Sequence, residues 1–163
     1  MMNFYKSLDH ILKMHRSGSK VTITDIGDFY WLIDGYTAHR IPKKEMELNP
    51  AIFQPFEIKI LQRIVKDAEL GVQLKDTGLA QKTKTSIKLL VPFISEDQDN
   101  RFTIWFQKML LNLFPAESSL YGTGSLEPAA VKMHGETIGI LLPCRNFSDI
   151  DIYDFMKGGR TDA

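Results

Sequence analysis

Val21-Thr22-Ile23-Thr24, then Ile26-Gly27-Asp28, then Phe29-Tyr30-Trp31-Leu32-Ile33 is the stretch whose reading decides the fold class. Two runs of β-branched and aromatic residues flank a turn signal, so residues 21–33 read as a β-hairpin. Asp34-Gly35, a common tight-turn dipeptide, closes the second strand, and Tyr36-Thr37-Ala38-His39-Arg40-Ile41 carries a third up to Pro42. Immediately upstream, Phe4, Leu8, Ile11, Leu12 and His15 share one helical face, with Lys6, Asp9, Lys13 and Arg16 off it. That spacing predicts a helix over Tyr5 to Arg16, ended by Ser17-Gly18-Ser19. A helix followed by antiparallel strands places the chain in the α+β class, with helices packed on an antiparallel sheet.

Downstream, Phe56, Ile60, Leu61, Ile64, Val65 and Ala68 fall on one stripe after the breakers Asn49-Pro50 and Gln54-Pro55, which predicts a helix from Glu57 to Glu69. Gly71 to Lys75 alternates like a short strand, Lys75 to Lys84 reads as a surface loop, and Ile87 to Phe93 as a buried strand. Asp99 or Asn100 is positioned to cap a helix carrying Phe102, Trp105, Phe106, Met109, Leu110, Leu113 and Phe114 and stopped by Pro115. Ser118 to Gly124, Ala129 to His134 and Thr137 to Leu142 then read as three short strands. A helix followed by strands thus occurs twice, near residue 5 and near residue 102. The length suits one domain over 1–163.

Apolar residues make up 44% of the chain and charged residues 25%, with 20 Lys+Arg against 20 Asp+Glu, a composition that excludes a disordered, collagenous or strongly basic protein. Cys144 is the only cysteine, so no intrachain disulfide and no cysteine-based zinc site can form, and a reducing compartment is expected. The first twenty residues are broken by charges, and Ile138 to Cys144 falls far short of the ~20 residues of a spanning helix. A cytoplasmic protein without membrane contact is expected.

The side chains offer little catalytic chemistry. His10 and His15 are five apart and do not share a helical face, and His39 and His134 lie in separate segments, so the histidines read as solvated or capping groups rather than metal ligands. Cys144 with His39 or His134 is the arrangement an enzyme would use, set against a buried packing role for the thiol. Tyr121-Gly122-Thr123-Gly124-Ser125 lacks the residues of a dinucleotide loop or P-loop and reads as a turn. Asp149, Asp151 and Asp154 lack the spacing of a calcium loop and read as a solvated acidic face. No cofactor or metal is expected. Lys59, Arg63 and Lys66, and separately Lys82, Lys84 and Lys88, form two basic rows available to phosphates. The apolar helix expected at Phe102 to Phe114 offers a further reading, that of a subunit docking a partner through that face.

Two segments carry a family resemblance. Leu32-Ile33-Asp34-Gly35-Tyr36-Thr37-Ala38 resembles the Ala-Thr-Asp-Gly-His-Arg-Leu strand of bacterial DNA polymerase sliding clamps, and Ile140-Leu141-Leu142-Pro143-Cys144-Arg145 is similar to the clamp's closing Val-Val-Met-Pro-Met-Arg. Pro128-Ala129-Ala130-Val131-Lys132 is similar to the clamp's Ser-Pro-Val-Val-Ile strand, and the repeated helix-then-strands unit matches the clamp domain. The resemblance covers about a third of the chain. It implies a non-enzymatic protein-interaction or DNA-associated module with a hydrophobic peptide-binding cleft. Ile33, Gly35, Tyr36 and Ala38 would form one wall, and Ile140, Leu142, Pro143 and Cys144 the other. The implied partners are polymerase-type peptides and duplex DNA, and the implied state is a homo-oligomer, because a bacterial clamp chain has three such domains. Tyr36 stands where the family has His, Thr37 where it has Arg, and Leu142 and Cys144 where it has Met. Residues 146–163 extend past the family's closing Arg as a tail that could enter the cleft.

Overall fold

The computed structural model describes residues 4–82 and 88–144. Helix α1 (Tyr5–Arg16) leads into β1 (Thr22–Ile26), β2 (Phe29–Ile33) and β3 (Thr37–Pro42), an antiparallel meander that contains the expected hairpin, with Ile26 opposite Phe29 and Ile33 opposite Ala38. A short β4 (Gln54–Pro55), parallel to β1, precedes α2 (Ile58–Glu69). The two-residue strands β5 (Val72–Gln73), β6 (Lys75–Asp76) and β7 (Gln81–Lys82) follow, then β8 (Leu89–Ile94) and β9 (Thr103–Gln107). The chain closes with α3 (Lys108–Leu111) and a second meander, β10 (Ser119–Gly122), β11 (Ala129–Met133) and β12 (Glu136–Leu141).

The meanders meet in one eight-stranded sheet of order β4-β1-β2-β3-β12-β11-β10-β5. Its central pair, β3 with β12, is antiparallel, with Ile140 opposite Ala38 and Leu141 opposite Thr37. Since an antiparallel pair carries a local two-fold, β1-β2-β3 and β10-β11-β12 are related about the sheet's centre. A four-stranded sheet is built around β8, with β6 and β7 along one side and β9 along the other.

Side-chain alternation assigns the layers. Trp31, Ala38, Ala130 and Ile140 pack with Leu61 and Ala68 of α2. Their neighbours Leu32 and Ile41 pack with Leu8 and Ile11 of α1, and Ala129, Val131 and Leu141 pack with Ile104 and Phe106 of β9. Helix α2 therefore covers one face of the large sheet, while α1 and the small sheet share the other. Ile138 is the extra residue of a β-bulge, since Val131 faces Gly139 and Lys132 faces Thr137.

The structure corrects the reading of residues 102–114. Thr103 to Gln107 form strand β9, paired along β8 with Phe106 opposite Val91 and Ile104 opposite Phe93, and only Lys108–Leu111 are α-helical. A β-branched and aromatic run buried on both faces presents the same continuous apolar signal as a buried helix. Trp105, Phe106, Leu110 and Phe114 are core residues, so no apolar helical face is left for a partner; Met109 alone of that stripe is well exposed. The second helix-then-strands unit survives with a helix of one turn. Lys75 to Lys84, expected as a loop, contributes β6 and β7. Pro92 is tolerated inside β8 because its position falls between β6 and β7, where Thr77 bonds the Pro92 carbonyl through both N–H and hydroxyl.

Candidate functional site

The site is assembled at the central β3–β12 pair. Beyond the last ladder residue, Leu142 donates its N–H to the Tyr36 carbonyl at 2.9 Å, which extends the pairing onto the Asp34–Thr37 turn. Two segments about a hundred residues apart in sequence thereby lie edge to edge. Ile33, Gly35, Tyr36 and Ala38 from one, and Ile140 and Leu142 from the other, line a single apolar cavity of about 130 Å³. Phe56 and, from α2, Leu61 and Ile64 form its far wall, and Pro128 closes one end. The volume is well below the ~300 Å³ at which small-molecule pockets begin and suits one inserted apolar side chain. Tyr36 is 55% exposed at its mouth, whereas Ala38, Leu61 and Ile140 are buried beneath it.

Pro143 and Cys144, expected on the same wall, are placed elsewhere. After Leu142 the chain leaves β3, and Cys144 donates its N–H to the Trp105 carbonyl at 2.7 Å and packs against Leu90, Ile94 and Trp105. The cleft takes in instead Phe56, Leu61 and Ile64. These were legible as an apolar stripe, but nothing local assigned that stripe to this cleft. The tail 146–163, with Asp149, Asp151 and Asp154, lies outside the described residues, as do Arg145 and Lys84.

Behind the Tyr36 wall lies a polar network that periodicity does not reveal. Asp34, whose side chain is buried, accepts the N–H groups of Tyr36 and Thr37 on Oδ1 at 2.8 and 2.7 Å. Its Oδ2 accepts the Thr37 hydroxyl at 3.1 Å and pairs with His10 Nε2. Thr37 Oγ1 is also 2.8 Å from His39 Nε2, and His39 Nδ1 is 2.9 Å from Ser7 Oγ. A hydroxyl has one proton to give, and that of Thr37 goes to Asp34. His39 Nε2 therefore carries the hydrogen and donates to Thr37, and Ser7 donates to His39 Nδ1. The bonds run in one direction, from Ser7 through His39 and Thr37 to the carboxylate.

Burial raises the Asp34 carboxyl, but the hydrogen bonds from His10, Tyr36 and Thr37 outweigh it and hold the group below its ordinary value. Burial lowers His39 to about 3, against the opposing pull of the Asp34 charge and with a smaller push from His10. His39 is thus a neutral core imidazole, stacked on Phe114 at 4.8 Å, and not the solvated or capping group that its sequence position suggested. The stacking is possible because Gly139 faces His39 across the ladder: a Cβ there would collide with the Phe114 ring and lie 2.8 Å from the Ala38 carbonyl oxygen.

The geometry gives no support to a thiol–imidazole pair. Both ring nitrogens of His39 are engaged by hydroxyls. His134 sits in the two-residue turn between β11 and β12, and the whole of β12, ~20 Å at strand rise, separates that turn from the segment leading to Cys144. Among the described residues no group of three or more His, Cys, Asp or Glu is arranged to hold a metal ion, and no helix is long and apolar enough to cross a membrane.

The two basic rows are not brought together. Lys59, Arg63 and Lys66 lie at i, i+4 and i+7 on the exposed side of α2, while Lys82 of β7 and Lys88, the residue before β8, lie with the small sheet on the opposite face of the large one. Compared with family models, curated proteins and solved structures, the chain matches none of them.

Proposed function

We propose that the chain is a non-enzymatic, sliding-clamp-like interaction module of the cytoplasm that captures short peptides in the β3–β12 cleft. One observation carries this reading. Six of the eight residues that the clamp resemblance assigns to the cleft, from two distant segments, line one apolar cavity through direct pairing of the strands that hold them. A cavity of single-side-chain size behind an exposed tyrosine suits an anchoring Leu or Phe of an extended peptide, with the rest of the peptide lying across the Tyr36 rim. The duplicated meander about the β3–β12 pair agrees with the repeated unit of a clamp domain. The described residues supply one such unit, and a ring built from it alone would be a homo-oligomer of several copies.

The test is fluorescence polarisation with a labelled peptide of the polymerase type containing Leu and Phe. Tyr36→Ala and Leu142→Ala should each weaken binding about tenfold with circular dichroism unchanged, since each removes apolar contact at the anchor. Unchanged affinity in both variants removes the cleft from consideration.

A duplex-associated role is supported by α2. Lys59, Arg63 and Lys66 share one exposed face and form no ion pair with a described residue. Duplex binding through them should fall with rising salt, and Lys59→Gln/Arg63→Gln should reduce the slope of log affinity against log salt by about two. An unchanged slope assigns any duplex binding to another surface.

A further inference from the structure

A second cavity, of about 450 Å³, lies at the seam between the two sheets. Its lining is mixed: an apolar floor of Leu74 beside β5, Val91 and Phe93 of β8, and Leu120 of β10, with Gln73, Asp76, Ser118 and Ser119 among the polar residues around it. Lys6 of α1 and Lys108 of α3 stand over it. They converge on one rim. Lys6 Nζ bonds the carbonyl of Asn112 at 3.4 Å, and Asn112 lies one helical turn from Lys108, whose carbonyl accepts the Asn112 N–H at 3.0 Å.

Four cations elsewhere on the surface are paired with carboxylates: Lys13 with Asp9, Lys43 with Asp25, Lys75 with Glu96 and Arg40 with Glu136. Neither Lys6 nor Lys108 has a carboxylate partner among the described residues. The one carboxylate in the lining, Asp76 on β6, already accepts the N–H of Gly78 at 2.9 Å. An anion in this cavity, within reach of both ammonium groups, gains attraction from each. The volume lies within the range of small-molecule sites, and a lining part apolar and part polar suits a ligand of the same mixed character.

We infer that this cavity binds a small amphipathic anion, with an aliphatic or aromatic body lying on the Leu74–Val91–Phe93–Leu120 floor and an anionic head held between Lys6 and Lys108. Both halves of the ligand are required. An inorganic ion would leave the floor hydrated, and an uncharged body would leave the lysine pair uncompensated.

The experiment uses the full chain and an aromatic sulfonate, 8-anilinonaphthalene-1-sulfonate, whose fluorescence rises on transfer to an apolar site. Saturable one-to-one binding is expected, with displacement by decanoate but not by decan-1-ol or inorganic phosphate at the same concentration. Lys6→Gln/Lys108→Gln removes two exposed charges and leaves the core intact, and should weaken probe binding about tenfold or more. Tyr36→Ala should leave it unchanged, which separates this site from the β3–β12 cleft. Absence of saturable binding, equal affinity in the lysine double variant, loss of binding in Tyr36→Ala, or displacement by decanol or phosphate as effective as by decanoate would each overturn the inference.

Discussion

Protonation of His39 should set the acid side of this protein's stability. The imidazole is neutral in the fold, lowered to about 3, and returns to its ordinary 6.5 when the chain unfolds. Between those values the unfolded state binds a proton that the folded state does not. The stabilisation is therefore complete above pH 6.5 and is lost as pH falls toward 3. At pH 5, one and a half units below the unfolded value, the loss relative to pH 8 is about 2 kcal/mol, a large fraction of a typical domain's 5–15 kcal/mol. Asp34, held low, has the same sign, but its contribution is lost only below its ordinary 3.8, outside the pH 5–8 window. His10 faces both groups, 6.0 Å from the His39 ring, so the comparison belongs in a His10→Gln background. Urea denaturation at pH 8, 6.5 and 5 should show that loss in His10→Gln and a nearly flat profile in His10→Gln/His39→Gln. The double variant should start about 1–3 kcal/mol lower at pH 8, because Ser7 and Thr37 lose well-placed partners. Parallel profiles in the two proteins, or an NMR titration placing folded His39 near 6.5, would refute the neutral, directional network.

Gly139→Ala should cost about 1–3 kcal/mol in urea denaturation, because the new methyl must displace the Phe114 ring from His39. Phe114→Leu, made together with it, should recover part of that loss, and failure to do so would place the strain elsewhere. Asp34→Asn keeps its one amide oxygen as acceptor for the Tyr36 and Thr37 N–H groups but then presents an NH₂ group, which donates, to His10 and the Thr37 hydroxyl. A loss of about 1–3 kcal/mol at pH 7 that shrinks as the wild type is acidified below pH 4 is expected; a constant difference would contradict the low Asp34 value. His134, at φ 53 in the β11–β12 turn, occupies a position that asparagine adopts more readily, so His134→Asn should raise the thermal midpoint by an increment worth less than ~1 kcal/mol.

What the sequence disclosed and what it concealed divide by range. Helix α1, the β1–β2–β3 meander and strands β10 to β12 are written in local patterns of period 3.6 and 2 with turn dipeptides between them, and they form where those patterns place them. Strand β9 was misread because Thr103-Ile104-Trp105-Phe106, covered on both faces, has lost the alternation that would mark a strand. Strands β4 to β7 are two residues each; β5 falls inside the alternating Gly71 to Lys75 run, whereas β4, β6 and β7 exist only because a neighbouring strand offers partners. The cleft shows both sides of this division: Ile33, Gly35, Tyr36, Ala38, Ile140 and Leu142 are visible through local motifs, while Phe56, Leu61 and Ile64 join them only through the packing of α2 across the sheet. Ser7 with His10 and Thr37 with His39 each follow the period of their own element, but nothing local joins the helical pair to Asp34 and the strand pair, and only the docking of α1 on β3 makes them a unit.

The cleft and the network share a turn, and that sharing has a functional consequence. Gly35, at φ 94, lets the chain reverse between β2 and β3, and Asp34 fastens the reversal by accepting the N–H groups of Tyr36 and Thr37. Tyr36 is therefore exposed as a side chain while its backbone is fixed at both ends, by Asp34 Oδ1 at its nitrogen and by Leu142 at its carbonyl. A binding rim fixed in this way loses little conformational entropy when a ligand side chain enters beside it, so more of the contact energy is left for affinity. Loosening the turn without touching the lining distinguishes preorganisation from contact. Asp34→Ala should weaken capture of the Leu- and Phe-containing peptide several-fold while Ile33, Ala38, Ile140 and Leu142 remain in place, with hydrogen exchange at the Tyr36 and Thr37 amides rising in parallel. Faster exchange with unchanged affinity would mean that the rim needs no support from the network, and that His10, Asp34 and His39 serve the stability of the β3–α1 interface alone.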